Sequence, residues 1–411
     1  MLPLALSAQT FATLYSFSPQ DYGAYDAYGG VTLGPQGELY GATLDGGRWG
    51  YGGVYELLPP ASPGGGWTAV VLHSFDAAAG EFLGGPLAIG PNGSLYGVTS
   101  AIGSAFQLDP PAGTSSGWQY KVIYQFTQAT SAWLGFGSPL GSGQSLYGTS
   151  GCSSGSASGG CGIVYRLTPP PEAGGAWTYT TLYSFPSAWG STEGRFVLGG
   201  LVAGAGGALF GVTADGGYVK GECIGHSGCG TVFSLAPPAV AGGQWTEQVI
   251  HSFVPGPGLG FFPEAGLVIG PGGVLYGTTS QGGEGELGGT AYSLTPPTVA
   301  DMPVTVTVLH SFGVSKGDGG YPETPLVLGP NGVLYGTTGL GGGACNCGTV
   351  FELAPPASPG GSWTERILHT FTNGADGGSP SGLTLGPDGT LYGTTETGGT
   401  DHMGTAFAVT P

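Results

Sequence analysis

The stretch Leu391-Tyr392-Gly393-Thr394-Thr395 recurs along the chain and decides how the chain is organised. Related phrases, Leu-Tyr-Gly or Leu-Phe-Gly, begin at residues 39, 95, 146, 209, 275 and 334. Successive copies lie 51 to 66 residues apart. A period of this length predicts a repeat architecture, in which each repeat is one small unit that is stable only when it packs against its neighbours.

The residues around each copy predict four short antiparallel strands. Before the last copy, the apolar run Gly382-Leu-Thr-Leu385 and the turn Gly386-Pro-Asp-Gly389 predict a β-hairpin whose second strand is the phrase itself. After a copy comes a Gly-rich loop and a third strand of the form Val-aromatic-x-Leu, as at 350–353. Pro-Pro ends this strand because proline cannot donate to a sheet. A fourth strand follows a tryptophan, as at 363–371.

The two ends of the chain predict how the repeats close into a ring. An additional fourth strand, residues 10–17, precedes the first complete repeat, and the chain stops after a third strand at 405–411. Four-stranded units at this period are typical of β-propeller blades. We therefore predict an all-β, seven-bladed β-propeller in one domain, residues 10–411, whose N-terminal strand completes the last blade and removes its exposed edge. Residues 1–9 resemble the end of a secretory signal peptide.

The composition excludes several classes of function. Seven Lys and Arg against 25 Asp and Glu give a net charge of −18, which leaves no basic surface for nucleic acid and disfavours anionic membranes. The 88 glycines and 33 prolines approach the content of disordered chains, but they recur in register with apolar strands. No run approaches the roughly 18 apolar residues of a transmembrane helix. The sequence therefore predicts a folded chain without a transmembrane segment.

Three repeated phrases resemble a known family. They are Leu-Tyr-Gly-Thr-Thr (391–395), Gly-Thr-Val-Phe-x-Leu-x-Pro-Pro (348–356) and Val-Leu-His-Ser-Phe (308–312). Together they resemble the tandem repeats of the bacterial choice-of-anchor GloVer-containing family over residues 10–411. The resemblance implies an exported protein, extracellular, periplasmic or on the cell surface, with no established activity and no catalytic residue to carry over. A weaker likeness is to the NHL-type propellers, whose first hairpin also turns on Asp-Gly.

The six cysteines form three local pairs, each in the loop between the second and third strands of a blade. The pairs are Cys152/Cys161, Cys223/Cys229 and Cys345/Cys347. In an exported chain, such pairs predict disulfide bonds. The alternative for the middle pair is a zinc site made by Cys223, His226 and Cys229, although no fourth ligand lies nearby in the sequence.

Four of the six histidines occupy one repeat position near the end of the fourth strand. They are His73, His251, His310 and His369, and tyrosine stands at this position in the other blades, at Tyr15, Tyr124 and Tyr183. A position that accepts either side chain favours an aromatic ring with a polar tip over a catalytic group. We therefore predict a structural role for this row.

The candidate ligand contacts lie in loops that depart from the repeat. They are Trp49, Trp133, Trp189, Tyr218, His226, Asp318, Asp376 and His402. Aromatic side chains outside the core pattern can stack on sugars or anchor a protein partner, and equally can pack between blades. Tyr51, Phe261 and Phe262 are also expected to be exposed. Asp before glycine, as at 318 and 376, can supply calcium ligands but is also common in turns, and no other cofactor is predicted.

Two functions fit this sequence. The first is a monomeric, non-enzymatic exported propeller that offers a binding or structural surface to a protein or glycan. The second is a propeller enzyme, a lyase or hydrolase acting on a polysaccharide or small lactone, with acids and a histidine at one face. Propellers carry both kinds of function, so the fold does not decide between them. Acids and a histidine that converge at the channel mouth would favour the enzyme, and scattered acids with exposed tryptophan would favour binding.

Overall fold

A computed structural model describes most of the chain. The described residues are 9–19, 27, 29–62, 64–76, 85–99, 103–112, 117–126, 134–136, 145–151, 161–172, 174–186, 191–218, 223, 228–240, 242–256, 258–284, 288–296, 304–313, 315, 317–358 and 360–411.

The described part of the chain contains 34 β-strands and three short 3₁₀ turns. The strands of the first half are β1 (Thr10–Ser16), β2 (Val31–Leu33), β3 (Leu39–Thr43), β4 (Gly53–Leu58), β5 (Thr68–Ser74), β6 (Ala88–Ile89), β7 (Leu95–Thr99), β8 (Ser104–Asp109), β9 (Gln119–Gln125), β10 (Leu134–Phe136), β11 (Leu146–Ser150), β12 (Ile163–Thr168), β13 (Thr178–Ser184), β14 (Gly194–Arg195), β15 (Val202–Ala203), β16 (Leu209–Thr213) and β17 (Asp215–Gly216).

The second half continues the same pattern. Its strands are β18 (Thr231–Ala236), β19 (Thr246–Ser252), β20 (Gly260–Phe261), β21 (Val268–Ile269), β22 (Leu275–Thr279), β23 (Gln281–Gly282), β24 (Thr290–Thr295), β25 (Thr305–Ser311), β26 (Gly319–Gly320), β27 (Val327–Leu328), β28 (Leu334–Thr338), β29 (Leu340–Gly341), β30 (Thr349–Ala354), β31 (Thr364–Thr370), β32 (Gly378–Leu385), β33 (Leu391–Thr397) and β34 (Thr405–Thr410). The 3₁₀ turns are Ala205–Gly207, Pro271–Gly273 and Pro330–Gly332.

These strands form seven four-stranded antiparallel sheets, which confirms the predicted propeller. In order from first to fourth strand, the blades are β2-β3-β4-β5, β6-β7-β8-β9, β10-β11-β12-β13, β15-β16-β18-β19, β21-β22-β24-β25, β27-β28-β30-β31 and β32-β33-β34-β1. The first strands of blades 5, 6, 7 and 1 contact one another in turn. First strands therefore lie nearest the centre of the ring, and fourth strands lie at its outside.

The N-terminal strand completes blade 7, as predicted. β1 runs antiparallel to β34, with Thr10 opposite Thr410 and Ser16 opposite Thr405. Two further hydrogen bonds hold its end: the Phe17 amide donates to the Gly404 carbonyl (3.1 Å), and the Thr400 amide donates to Ser16 Oγ (2.7 Å). The last blade is thus built from both ends of the chain.

The glycine of the repeated phrase makes room for an aromatic ring. In blade 6, a Cβ added to Gly336 would lie 2.4 Å from Cζ of Phe351, which stands directly opposite on the third strand. In blade 7, Gly393 has the same relation to Phe407, at 2.5 Å. Both rings are fully buried. The aromatic ring of the third strand occupies the space that a side chain on the glycine would fill. The Leu-Tyr-Gly and Val-aromatic-x-Leu phrases therefore occur together.

The second threonine of the phrase ties the second strand to the third. Thr338 Oγ1 lies 2.9 Å from Thr349 Oγ1 and accepts a hydrogen bond from the Thr349 amide at 3.1 Å. The pair Thr395 and Thr405 repeats this contact at 2.9 Å. All four threonines are buried, so these bonds satisfy hydroxyl groups that would otherwise be costly to bury.

The apolar core lies between neighbouring blades. One cluster joins Ala291, Leu309 and Phe312 of blade 5 to Leu334 and Phe351 of blade 6. Each sheet therefore buries both faces, which explains why apolar residues appear on both sides of the inner strands. Among the described residues, no helix has the length and apolar character needed to cross a membrane.

Candidate functional site

The His/Tyr row lies at the contacts between blades, called seams here. At several seams, the row residue of one blade contacts the fourth strand of the next blade. The residue contacted there stands four positions before that next blade's own row residue. Three of these pairs are stacked rings: His73 on Tyr120 (4.0 Å between ring centroids), Tyr124 on Tyr179 (5.0 Å) and His369 on Phe11 (3.6 Å). The row therefore contributes packing between blades, in line with the structural role that we predict for it.

At the seam between blades 5 and 6, the row residue is a histidine and the residue that faces it from blade 6 is a glutamate. An aspartate also contacts this histidine. Nε2 of His310, on β25, lies 3.5 Å from Oδ1 of Asp318 and 3.6 Å from Oε2 of Glu365. Asp318 belongs to the connection that leads into blade 6, and Glu365 lies on β31. The side chains of His310, Asp318 and Glu365 are 21%, 2% and 15% exposed. We call these three residues the seam triad.

The seam triad shifts the pKa values of its own members. Burial lowers the pKa of His310, but the polar contact and charge of Asp318 and the charge of Glu365 outweigh burial, so this pKa lies above its ordinary value. Burial raises the pKa of Glu365 to about 7; the nearby Asp318 adds to this rise, and His310 opposes it. By contrast, burial lowers the pKa of His251, which has the same position in blade 4. The triad is therefore electrostatically distinct within the row.

Two other seams carry related arrangements. Between blades 3 and 4, Tyr183 Oη donates to Oε2 of Glu193 (2.8 Å), and burial together with the charge of Glu193 raises the pKa of Glu247 to about 7. Between blades 6 and 7, His369 Nε2 lies 3.1 Å from Oδ2 of Asp376, and Phe11 stands where the triad has Glu365. These seams serve as natural comparisons for the triad.

We expect the protein to lose stability as pH rises from 5 to 8. Glu247 and Glu365 keep their protons to about pH 7 when folded but release them near pH 4.5 when unfolded, so the free energy of unfolding falls across this window. Solvent screening of these part-exposed groups limits the loss to about 1–2 kcal/mol each.

Urea unfolding at a series of pH values measures this loss. The double variant Glu247→Gln, Glu365→Gln should show a flatter pH profile than the wild type, and each single variant should lie between them. A double variant with the wild-type slope would contradict the assignment.

Among the described residues, the remaining predicted contacts are distributed over blades 1, 4 and 7. Trp49 and Tyr218 are exposed, in the second-to-third-strand loops of blades 1 and 4. His402 is exposed in the corresponding loop of blade 7. Asp376 accepts hydrogen bonds from the Thr372 amide (3.0 Å) and hydroxyl, which closes a turn. Trp133, Trp189 and His226 lie outside the described residues.

The expected exposure of Phe261 and Phe262 is wrong. They are 8% and 5% exposed and pack in the core between blades 4 and 5. The reason is a small sheet, β20 with β23, which holds the start of blade 5 against the loop that follows its second strand. Tyr51 is also partly buried, against the core between blades 1 and 2.

Two of the three predicted cysteine pairs are bonded. Disulfides join Cys223 to Cys229 and Cys345 to Cys347, with Cα atoms 5.2 Å and 5.3 Å apart. The zinc alternative at Cys223 and Cys229 is therefore wrong, because the two sulfur atoms bond to each other. Cys152 lies outside the described residues, so its pairing with Cys161 stays a prediction that non-reducing peptide mapping can test.

Two solved structures support the fold, and a third is only weakly similar. The extracellular domains 1–2 of Drosophila Semaphorin 1a match with 11% identity and a TM-score of 0.51, covering 97% of this chain and 88% of that one. A protein from Lactobacillus plantarum matches with 16% identity and a TM-score of 0.50, covering 84% of each chain. A putative oxidoreductase (glucose dehydrogenase) from Thermus thermophilus matches with 16% identity and a TM-score of 0.44, covering 79% of this chain and 95% of that one.

Sequence comparison gives a more specific result. No curated protein sequence matches the chain. The family model described as the Gloeobacter/Verrucomicrobia repeat matches residues 218–411, which contain the last two strands of blade 4, the whole of blades 5 and 6, and three of the four strands of blade 7. The resemblance read from the repeated phrases is confirmed over this range by the match to the Gloeobacter/Verrucomicrobia repeat model.

Proposed function

We propose that the protein is an exported, monomeric and non-enzymatic β-propeller that binds a protein or glycan partner through aromatic side chains at one face. That face, called the loop face, carries the loops between second and third strands and the connections between blades. Antiparallel pairing puts these segments at the same end of each sheet. The observation that carries the proposal is the exposed Trp49 in the loop of blade 1.

Trp49 is exposed on a loop that hydrogen bonds hold in place. Its side chain is 55% exposed, and the guanidinium carbon of Arg48 lies 4.8 Å from the centre of its ring. The Arg48 amide donates to Ser74 Oγ (3.1 Å), and the Gly52 amide donates to the Gly46 carbonyl (2.9 Å), so the loop is fastened to its own blade. Tryptophan and arginine supply much of the binding energy at protein interfaces, and a tryptophan face also stacks on sugar rings.

Export is supported by the disulfides, and the charge is compatible with it. Disulfides persist in oxidising compartments outside the cytosol. The net charge of −18 with seven basic residues suits a soluble surface that does not bind nucleic acid.

The enzyme alternative has one observation in its favour. The seam triad brings a histidine and two acids together, and the pKa of Glu365, about 7, is in the range of a general acid. However, His310 and Glu365 lie on fourth strands, at the outside of the ring rather than beside the first strands at its centre. A polysaccharide lyase or lactone hydrolase activity that Glu365→Gln abolishes would favour the enzyme over the binding module.

Binding to a glycan array and to immobilised cell-surface proteins tests the proposal. We expect Trp49→Ala to weaken the partner's Kd by about 30-fold or more, the effect of losing an interface hot spot of about 2 kcal/mol. Val240→Ala is the matched control, because Val240 is 71% exposed but lies in a third-to-fourth-strand loop at the opposite end of its sheet. Equal binding by the Trp49→Ala variant and the wild type would contradict the proposal.

A further inference from the structure

The seam triad has the spacing of metal ligands. Zinc binds histidine nitrogen and carboxylate oxygen at about 2.0–2.2 Å, which places neighbouring ligand atoms of a tetrahedral site about 3.4 Å apart. The separations from His310 Nε2 to the oxygens of Asp318 and Glu365 are 3.5 Å and 3.6 Å, and one ligand atom of each residue lies within 4.8 Å of the others. Both separations exceed the 2.7–3.2 Å range of ordinary N–H···O hydrogen bonds.

The two comparison seams lack this spacing. Tyr183 Oη is 2.8 Å from Glu193, and His369 Nε2 is 3.1 Å from Asp376, so both pairs are at hydrogen-bond distance. At the triad, His310 Nε2 and Glu365 Oε1 are buried with no hydrogen-bond partner among the described residues. A bound cation would give both atoms a favourable partner.

We propose that His310, Asp318 and Glu365 bind one divalent transition-metal ion, with zinc preferred, and that this ion joins blade 5 to blade 6. One imidazole nitrogen with two carboxylates suits zinc, whereas calcium takes six to eight oxygen ligands. Two carboxylates also balance the charge of a divalent ion. The three ligands come from β25, from the connection after it and from β31, so the ion spans the seam. This proposal does not depend on the binding partner proposed above.

Zinc titration of the EDTA-treated protein tests the site. Calorimetry at mildly alkaline pH should show one zinc ion per chain, and zinc should raise the melting temperature while calcium and magnesium should not. Loss of a residue that only supports a metal ligand typically weakens metal affinity by about 10–100-fold. His310→Tyr and Glu365→Gln each remove a ligand, so each should weaken zinc affinity by more than this. His310→Tyr copies the side chain that Tyr183 already places beside two acids, and His369→Tyr is the control that should keep full zinc affinity.

Three results would overturn the proposal. One is the absence of stoichiometric binding at a large excess of zinc, which would mean that His310 forms ion pairs only. Another is unchanged zinc affinity in both His310→Tyr and Glu365→Gln, which would place the ion elsewhere. The third is a loss of affinity in His369→Tyr equal to that in His310→Tyr. If His310→Tyr fails to fold, the isosteric Glu365→Gln decides the question.

Discussion

Deletion of residues 10–17 should open the ring and remove a large part of its stability. The deletion exposes the outer side of β34 along its whole length as an unpaired strand edge, and such edges favour aggregation. It also removes Phe17, which is 1% exposed in the core between blades 7 and 1, and Phe11, which stacks on His369 of blade 6. Complete burial of a phenylalanine stabilises by about 1.5–3 kcal/mol, so packing and pairing are lost together. Urea unfolding and size-exclusion chromatography measure both effects.

A peptide of residues 9–19 is the control for this deletion. Supplied in excess, it should occupy the vacant edge as an added strand and restore stability, whereas a peptide with the same residues in scrambled order should not. A truncated protein that stays monomeric with an unchanged unfolding midpoint would show that the strand does not close the ring.

Replacement of Phe371 by alanine should destabilise the protein by about 3–5 kcal/mol. Phe371 is completely buried, and its ring lies 5.2 Å from that of Phe407 and 5.9 Å from that of Phe11, so the cavity would open between blades 6 and 7. The surrounding strands are paired on both sides and have little freedom to fill it. The midpoint of urea unfolding measures the change.

His369→Tyr is the matched comparison, two residues away on the same seam. The larger ring should cost less than about 1.5 kcal/mol, because Tyr124 already stacks at the equivalent position and Asp376 can accept a hydrogen bond from the hydroxyl. A loss equal to that of Phe371→Ala would show that the row does not tolerate either side chain.

The strands and the closing blade could be predicted because each depends on local sequence that is repeated. Glycine-proline turns, Pro-Pro ends and the aromatic third strand set each blade, and counting strands showed that one was shared between the two ends. The opposed Gly336 and Phe351 explain why these phrases are so regular.

The short sheets at the loop face could not be predicted. Those formed by β14 with β17, β20 with β23, and β26 with β29 depend on backbone bonds between glycine-rich segments. Gly282 and Gly341, for example, adopt φ of 83° and 85°, and no side-chain pattern marks such a conformation. Their presence buries Phe261 and Phe262, which the sequence alone led us to expect at the surface.

The seam triad was missed because its members belong to different blades. Glu365 stands 55 positions after His310, on a fourth strand that reads as half-exposed, and only the packing of one blade on the next brings them together. A signal was present: the position four residues before the row carries rings at Phe11 and Tyr120 but acids at Glu247 and Glu365. To find the triad from the sequence, the row position of one blade had to be considered together with the position four residues before the row in the next blade.

Blade 7 also differs from the others in when it can be completed. Blades 1 to 6 each consist of one continuous segment, so each can pair its strands soon after the ribosome has made it. The pairing of Thr10 with Thr410 joins residues 400 positions apart, and contacts at such separation form slowly. During synthesis, β1 therefore has no partner until β34 has been made. Closure of the ring therefore depends on a pairing between the two most distant strands of the described chain, whereas blades 1 to 6 depend on local pairings.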